Sequence, residues 1–131
     1  MYKVGIKNSF TAKHFLRGDF DEESLPHSHP YEVEWRCSTK ELDENGFSID
    51  IALMKTVLED VLARIDGRLL NDLPFFEQRQ PSVENCAQYI SSSILSAPEM
   101  KHLITPALSE MEIRIWEAPD AWASYVHSLS V

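Results

Sequence analysis

Three histidines carry the first chemical signal in this 131-residue chain. His27 and His29 stand one residue apart in the stretch "SLPHSHPYEVEW", fenced by Pro26 and Pro30. On an extended strand, residues i and i+2 emerge on one face about 6 to 7 Å apart, so the two imidazoles can converge on one ion. His14 lies in a second extended stretch with the parity to join them. Three neutral imidazoles suit zinc and leave a fourth position for water or substrate, the catalytic rather than the structural pattern. Two surface histidines placed before a strand would look the same, so the pair alone leaves both readings open.

The elements that must position these side chains can be read from periodicity. Residues 2 to 16 alternate as a strand, with Phe10, Ala12, His14 and Leu16 on one face and Lys13 on the other. After the acidic loop "RGDFDEESLP", Tyr31, Val33, Trp35 and Cys37 alternate with Glu32, Glu34 and Arg36, a half-buried strand on whose apolar parity His27 and His29 fall. Asn45-Gly46 is a strong turn signal, after which "GFSID" is expected to pair back as a third strand.

Ile51, Met54, Leu58, Val61, Leu62 and Ile65 then follow helical spacing behind an Asp50 cap. A loop leads to Ser82, the expected N-cap of a second helix whose stripe is Val83, Cys86, Ala87, Ile90 and Ile94. In "EMEIRIWEAP", Met111, Ile113 and Ile115 oppose Glu112, Arg114 and Trp116, a fourth strand. The reading is one α+β domain over residues 1–131, an antiparallel four-stranded sheet with both helices on one face. The uncovered face must either meet water through polar residues or pack on another subunit, and a homo-oligomer is expected.

Composition narrows the function classes. A chain of this length buries about two thirds of its unfolded surface and needs one core. No apolar run approaches the roughly 18 residues that span a bilayer, and the N-terminal stretch has no signal-peptide core, so a cytoplasmic protein without membrane partners is expected. A net charge of −9 argues against a nucleic-acid surface. The first 18 residues nevertheless hold Lys3, Lys7, Lys13 and Arg17 and no acid, which offers either a local cationic patch for an anionic small molecule or a solvated strand face. Cys37 and Cys86 fall in a strand and a helix and are expected to be buried thiols.

Six segments in order, "FTAKHFL", "HSHPYEVEW", "NGFSIDIALMK", "RIDGRLLN", "QPSVENCAQYI" and "IWEAPDAWASY", resemble the successive motifs of the 6-pyruvoyl-tetrahydropterin synthase and 6-carboxytetrahydropterin synthase family. The resemblance implies a tunnelling fold, whose subunits assemble as trimers into a barrel and pair into hexamers with active sites between subunits. It implies Zn2+ bound by His14, His27 and His29, and a pterin recognised by Glu117. An ionised carboxylate can accept two parallel hydrogen bonds from a pterin ring N–H and its exocyclic amine. Glu117 shares parity with Ile113 and Ile115, which points it inward; a surface acid at a strand end is the alternative. Ser82 and Glu84, at the start of the second helix, are candidates to border the pterin pocket, although capping alone would explain Ser82. Asp50 is read as structural.

The chain departs from the family pattern at its relay. The family's cysteine, four residues before the paired histidines, is Glu23 here; its Asp-His pair is Asp66 followed by Gly67; the residue between the metal histidines is Ser28. A glutamate in that place resembles a subgroup that cleaves the side chain of 7,8-dihydroneopterin triphosphate to a 6-hydroxymethyl pterin. Glu23 and Asp66 are therefore the catalytic candidates, with Glu22 equally available in the acidic loop. The resemblance leaves two functions: a zinc-dependent pterin lyase or synthase, or a catalytically reduced protein that keeps the metal and the pterin pocket. His102 and His127 have no motif around them and are read as surface residues.

Overall fold

The computed structural model describes residues 1–129 as an α+β fold. Its regular elements are β1 (Tyr2–His14), β2 (His27–Thr39), α1 (Ile51–Ala63), α2 (Val83–Leu95), a short helical turn α3 (Met100–Leu103), β3 (Leu108–Ala118) and β4 (Ala121–Ser128). The strands form one antiparallel sheet in the order β1-β2-β3-β4.

Alternation decides which face of each strand is buried. Ile6, Phe10 and Ala12 of β1, Tyr31, Val33, Trp35 and Cys37 of β2, and Met111, Ile113 and Ile115 of β3 all turn to the helices. Asp50 caps α1 by accepting the Leu53 amide at 3.1 Å, and Ser82 caps α2 by accepting the Asn85 amide at 3.2 Å. Helix α1 lies over β1, and α2 lies over β3 and β4. Between them Met54, Leu58, Val61, Ile90 and Ile94 close the core, each large aliphatic contributing roughly 1.5–3 kcal/mol by its burial. Ile51, expected in that stripe, is exposed, and Val57 takes the buried position instead. Cys37 and Cys86 are buried free thiols, and burial pushes each up to about 12. Neither is an available nucleophile at neutral pH. No helix among the described residues is long and apolar enough to cross a membrane.

The expected strand after Asn45-Gly46 does not form. Asp43 accepts the Asn45 and Phe47 amides through its side chain at 2.8 and 2.9 Å, and its own amide donates to Phe47 O at 2.8 Å, closing a compact local turn. Pairing back was also blocked, because β2 is flanked by β1 on one side and β3 on the other. The remaining strand is β4, which returns along β3 after the Pro119-Asp120 turn. Its faces mix Ala, Trp, Ser, Tyr and Val, so periodicity gives it little contrast.

The loop between the helices is packed rather than free. Leu70, Leu73 and Phe76 enter the core from two single 3-10 turns. Lys13 of β1 forms a parallel bridge with Leu69, and the Lys13 amide donates to Arg68 O at 2.8 Å. This bridge covers one end of the β1 edge.

The face opposite the helices is a lattice of charge. Lys7 pairs with Glu32 at 3.4 Å, Arg36 with Glu34 and, at 4.0 Å, with Glu112, and Arg114 with Glu112 at 3.1 Å. Arg114 also stacks 3.9 Å over the exposed Trp122 ring. Of the two expectations for this face, polar residues meeting water is what the single chain presents.

Candidate functional site

Strand register brings the histidines together. His14 is the direct partner of His27 across β1 and β2, and Ala12 is the partner of His29. Directly opposed residues of an antiparallel pair share a face with Cβ atoms about 4.5–5.5 Å apart. The His14 and His27 rings accordingly meet edge to face with centroids 4.5 Å apart, and their Nε2 atoms lie 2.8 Å apart. His29 is set back, its ring centroid 6.4 Å from that of His14 and its Nε2 3.9 Å from Glu117 Oε1.

Backbone carbonyls orient the rings. His27 Nδ1–H donates to Leu25 O at 2.9 Å and His29 Nδ1–H to Pro30 O at 2.8 Å. A neutral imidazole that donates from Nδ1 keeps a bare lone pair on Nε2. His14 Nδ1 lies 3.1 Å from Pro81 O and 3.0 Å from the buried Tyr31 hydroxyl. Burial, and then the neighbouring His27, hold the His14 pKa below the usual imidazole value, which favours its neutral form.

These contacts test whether a cation fits. Carbonyl-bound Nδ1 atoms and outward Nε2 lone pairs are the arrangement that readies histidine for a metal. Two bare Nε2 atoms 2.8 Å apart would repel, so that contact requires a proton on one of them or a cation shared by both. Among the described residues, no three His, Cys, Asp or Glu side chains are drawn together tightly enough to enclose an ion as they stand. The nitrogen donors are of the type a cation takes, with His14 and His27 paired and His29 set apart from them.

A cavity of about 170 Å³ opens beside His14, lined also by Leu16, Glu23, Pro81, Ser82, Glu84 and Glu117. It gathers five of the eight candidate site residues. Glu23 sits in a 3-10 turn, Asp21–Ser24, tied to the residues after His14 by a 2.8 Å bond from the Leu16 amide to Glu23 O. Glu23, and not Glu22, lines the cavity. Ser82 keeps its capping bond while bordering the space, and Glu84 enters from the first turn of α2.

Glu117 is exposed at the strand end, yet it faces the histidines, as its parity with Ile113 and Ile115 implied. The β3–β4 register shifts between Trp116 and Ala118, which leaves Glu117 in a bulge without a cross-strand partner. From there it lines the His14 cavity, a 210 Å³ cleft with Glu84 and Trp122, and a 540 Å³ cleft with Lys7, Pro30 and Trp116.

Asp66 lies outside this cluster. Its carboxylate accepts the Thr11 amide at 2.9 Å, and the next amide, Gly67 N–H, donates back to Thr11 O at 2.6 Å. Both bonds fasten the end of α1 to the β1 edge three residues before His14. His102 lines a separate cavity with Glu41, Asp43 and Asp50, and His127 lies on β4.

Sequence reading missed Tyr31 and the Pro81 carbonyl. Tyr31 was available, since it has the parity of His27 and His29. The Pro81 carbonyl was not, because it reaches His14 across 67 residues of sequence.

The family described as 6-pyruvoyl tetrahydropterin synthase matches residues 3–128. A protein of Archaeoglobus fulgidus, provisionally described as a 6-carboxy-5,6,7,8-tetrahydropterin synthase, is 30% identical over 120 residues, 92% of this chain and 91% of its own. The Caenorhabditis elegans 6-pyruvoyl tetrahydropterin synthase structure superposes with a TM-score of 0.77 at 24% identity, covering 97% of this chain and 96% of that one. The Plasmodium vivax 6-pyruvoyl tetrahydropterin synthase superposes at 0.82 and 19% identity over 98% of both chains, and its solved forms include variants of a catalytic glutamate. Matched over nearly its whole length, the chain belongs to the 6-pyruvoyl tetrahydropterin synthase family.

Proposed function

We propose that this chain is a zinc-dependent lyase acting on 7,8-dihydroneopterin triphosphate or a closely related dihydropterin. The observation that carries the reading is the single cavity shared by His14, Glu23, Ser82, Glu84 and Glu117. His14, His27 and His29 would hold the ion. When bound, zinc lowers the pKa of a side-chain hydroxyl and stabilises developing oxyanion charge.

Glu117 accepts the ring N–H and exocyclic amine of the pterin, fixing which side-chain carbon faces His14. Glu23 takes the proton from the side-chain hydroxyl as a general base. With that hydroxyl on the second side-chain carbon, its C–O becomes C=O as the bond to the first carbon breaks, the electron pair passes to the first carbon, and the proton held by Glu23 returns there, giving a 6-hydroxymethyl pterin and an aldehyde fragment. Support for a glutamate in this role comes from the P. vivax relative, whose catalytic residue is a glutamate. Ser82 and Glu84 border the ring. Asp66 acts through Thr11, holding the β1 segment that carries His14.

A second reading, a pterin-binding protein without turnover, is favoured by one observation. Gly67 stands where the family's relay histidine is expected and adopts a left-handed backbone, φ +75°, that a side chain would strain. The relay position is thus built as a turn. The two readings part on incubation of the zinc-loaded protein with dihydroneopterin triphosphate, followed by mass spectrometry. A 6-hydroxymethyl product supports the lyase, a 6-pyruvoyl or 6-carboxy product moves the chain to a synthase, and no turnover at high protein concentration leaves only binding.

The proposal includes a cytoplasmic trimer or hexamer. Among the described residues, the β4 edge and most of the β1 edge carry no strand partner, which suits barrel closure between copies. A monomer by light scattering would remove it.

A further inference from the structure

We infer that Gln80 is a positioning residue for Glu23, fixing the loop that carries the base to the start of α2 from outside the cavity. The inference rests on the reading of Glu23 as general base and adds how that residue is held in register with Ser82 and Glu84.

Beyond the end of β1 at His14, two carboxamides stand in for a neighbouring strand. Phe15 N–H donates to Asn71 Oδ1 and Asn71 Nδ2–H donates back to Phe15 O, both at 3.0 Å. Arg17 is matched in the same way, its N–H donating to Gln80 Oε1 at 2.9 Å and Gln80 Nε2–H donating to its carbonyl at 2.7 Å. A carboxamide carries an acceptor and a donor side by side, so each closes a two-bond ring with one residue's backbone. Leu16, between them, gives its amide to Glu23 O instead, at 2.8 Å. The alternation is that of a strand, and Glu23 hangs from its middle residue.

The Gln80 end of this link is itself anchored. Asn85 Nδ2–H, from α2, donates to Gln80 O at 2.9 Å, and the Arg17 guanidinium donates to Arg79 O at 2.9 Å and to Phe76 O at 2.5 Å. Leu16 and Glu23 line the His14 cavity, and so does the stretch from Pro81 to Glu84. Gln80 adjoins the second group and grips Arg17, which adjoins the first. The bonds from Ser24 Oγ–H to Gly18 O at 2.8 Å and from Phe20 N–H to Ser24 Oγ at 2.9 Å are internal to the acidic loop, so they shape it without tying it to α2. The Gln80–Arg17 pair therefore sets the spacing between the base and the residues that border the pterin.

A double-mutant cycle on the zinc-loaded protein with dihydroneopterin triphosphate tests this. Gln80→Met keeps the side-chain length and removes both bonds to Arg17. Its kcat should fall about ten-fold with KM within about two-fold, because Glu117 is untouched. In a Glu23→Gln background the same substitution should change kcat by less than about two-fold, since the group it positions is already gone. A ten-fold loss in both backgrounds, or a rise in KM with kcat unchanged, overturns the inference.

Backbone hydrogen exchange decides the point without turnover. The Leu16 amide bonds Glu23 O and not Gln80, so it should exchange about ten-fold faster in Gln80→Met only if the pair steadies the Leu16–Glu23 contact. Amides of β2 should keep their wild-type protection. Unchanged exchange at Leu16 overturns the inference, and so does equal acceleration at Leu16 and across β2, which is what a general loss of stability gives. If wild type turns over no dihydroneopterin triphosphate, the lyase reading falls, and exchange at Leu16 alone decides whether Gln80 holds the Glu23 segment.

Discussion

His14 and His27 are cross-strand partners whose Nε2 atoms lie 2.8 Å apart, although 13 residues separate them in sequence. The β1–β2 register alone produces this contact. A slip by one residue would turn either imidazole to the charged face of the sheet. With Nδ1 of His27 and His29 committed to carbonyls, the lone pairs that remain are on Nε2.

Removing one member of the pair should empty the site. His27→Ala, purified with zinc present, is expected to hold near-zero metal by elemental analysis, against about one ion per chain for wild type. Equal, near-zero contents in both proteins would eliminate the metal centre.

Glu23 and Glu22 are adjacent acids with different surroundings. Glu23→Gln should lower turnover of dihydroneopterin triphosphate by about 10²–10⁴-fold while its zinc content stays at the wild-type level. Glu22→Gln, which alters a residue outside the His14 cavity, should change turnover little. A larger loss for Glu22→Gln than for Glu23→Gln would move the base to Glu22.

Glu117 should matter to ring recognition more than to metal. Replacing a charge-assisted pair of hydrogen bonds with neutral ones in Glu117→Gln is expected to weaken pterin binding by about 10- to 100-fold, measured by ligand fluorescence. Unchanged affinity would return Glu117 to a surface acid in a bulge.

Asp66 acts on the backbone. Asp66→Ala removes the acceptor for the Thr11 amide and should cost about 1 kcal/mol in urea denaturation. Zinc stoichiometry should persist. A fall in turnover with unchanged stability would instead place Asp66 in the chemistry.

The charged face makes stability depend on acid. Burial alone would raise the Glu112 pKa, but hydrogen bonds from Arg114 and Ser124, and the charges of Arg114 and Arg36, bring it below the ordinary glutamate range. A depressed folded-state pKa stabilises the protein above the unfolded-state pKa, and that contribution fades as pH falls below about 4. Urea midpoints measured from pH 7 to pH 3 should therefore fall less steeply for Glu112→Gln than for wild type. Parallel curves would show that Glu112 does not supply the acid dependence.

Local periodicity was enough for most elements of the fold. Tyr31, Val33, Trp35 and Cys37 alternate, and Met54, Leu58, Val61 and Leu62 recur at helical spacing, so their buried faces follow from neighbours in the chain. The caps Asp50 and Ser82 were legible for the same reason, since each bonds an amide three residues on. The strand expected at residues 46–50 failed because pairing is not local: β2 has two edges, and β1 and β3 occupy them.

The sequence by itself determined which side chains could do chemistry here: His27 and His29 by their spacing, His14 by its parity, Glu23 and Glu117 by resemblance. Tertiary structure decided what each one meets. Strand register set His14 against His27, the β3–β4 register shift left Glu117 without a partner on β4, and the end of α1 drew Asp66 to Thr11. It also placed Tyr31 and the Pro81 carbonyl on a single nitrogen of His14. Those contacts join segments 13 to 67 residues apart, and only the closed core brings such segments within hydrogen-bonding distance.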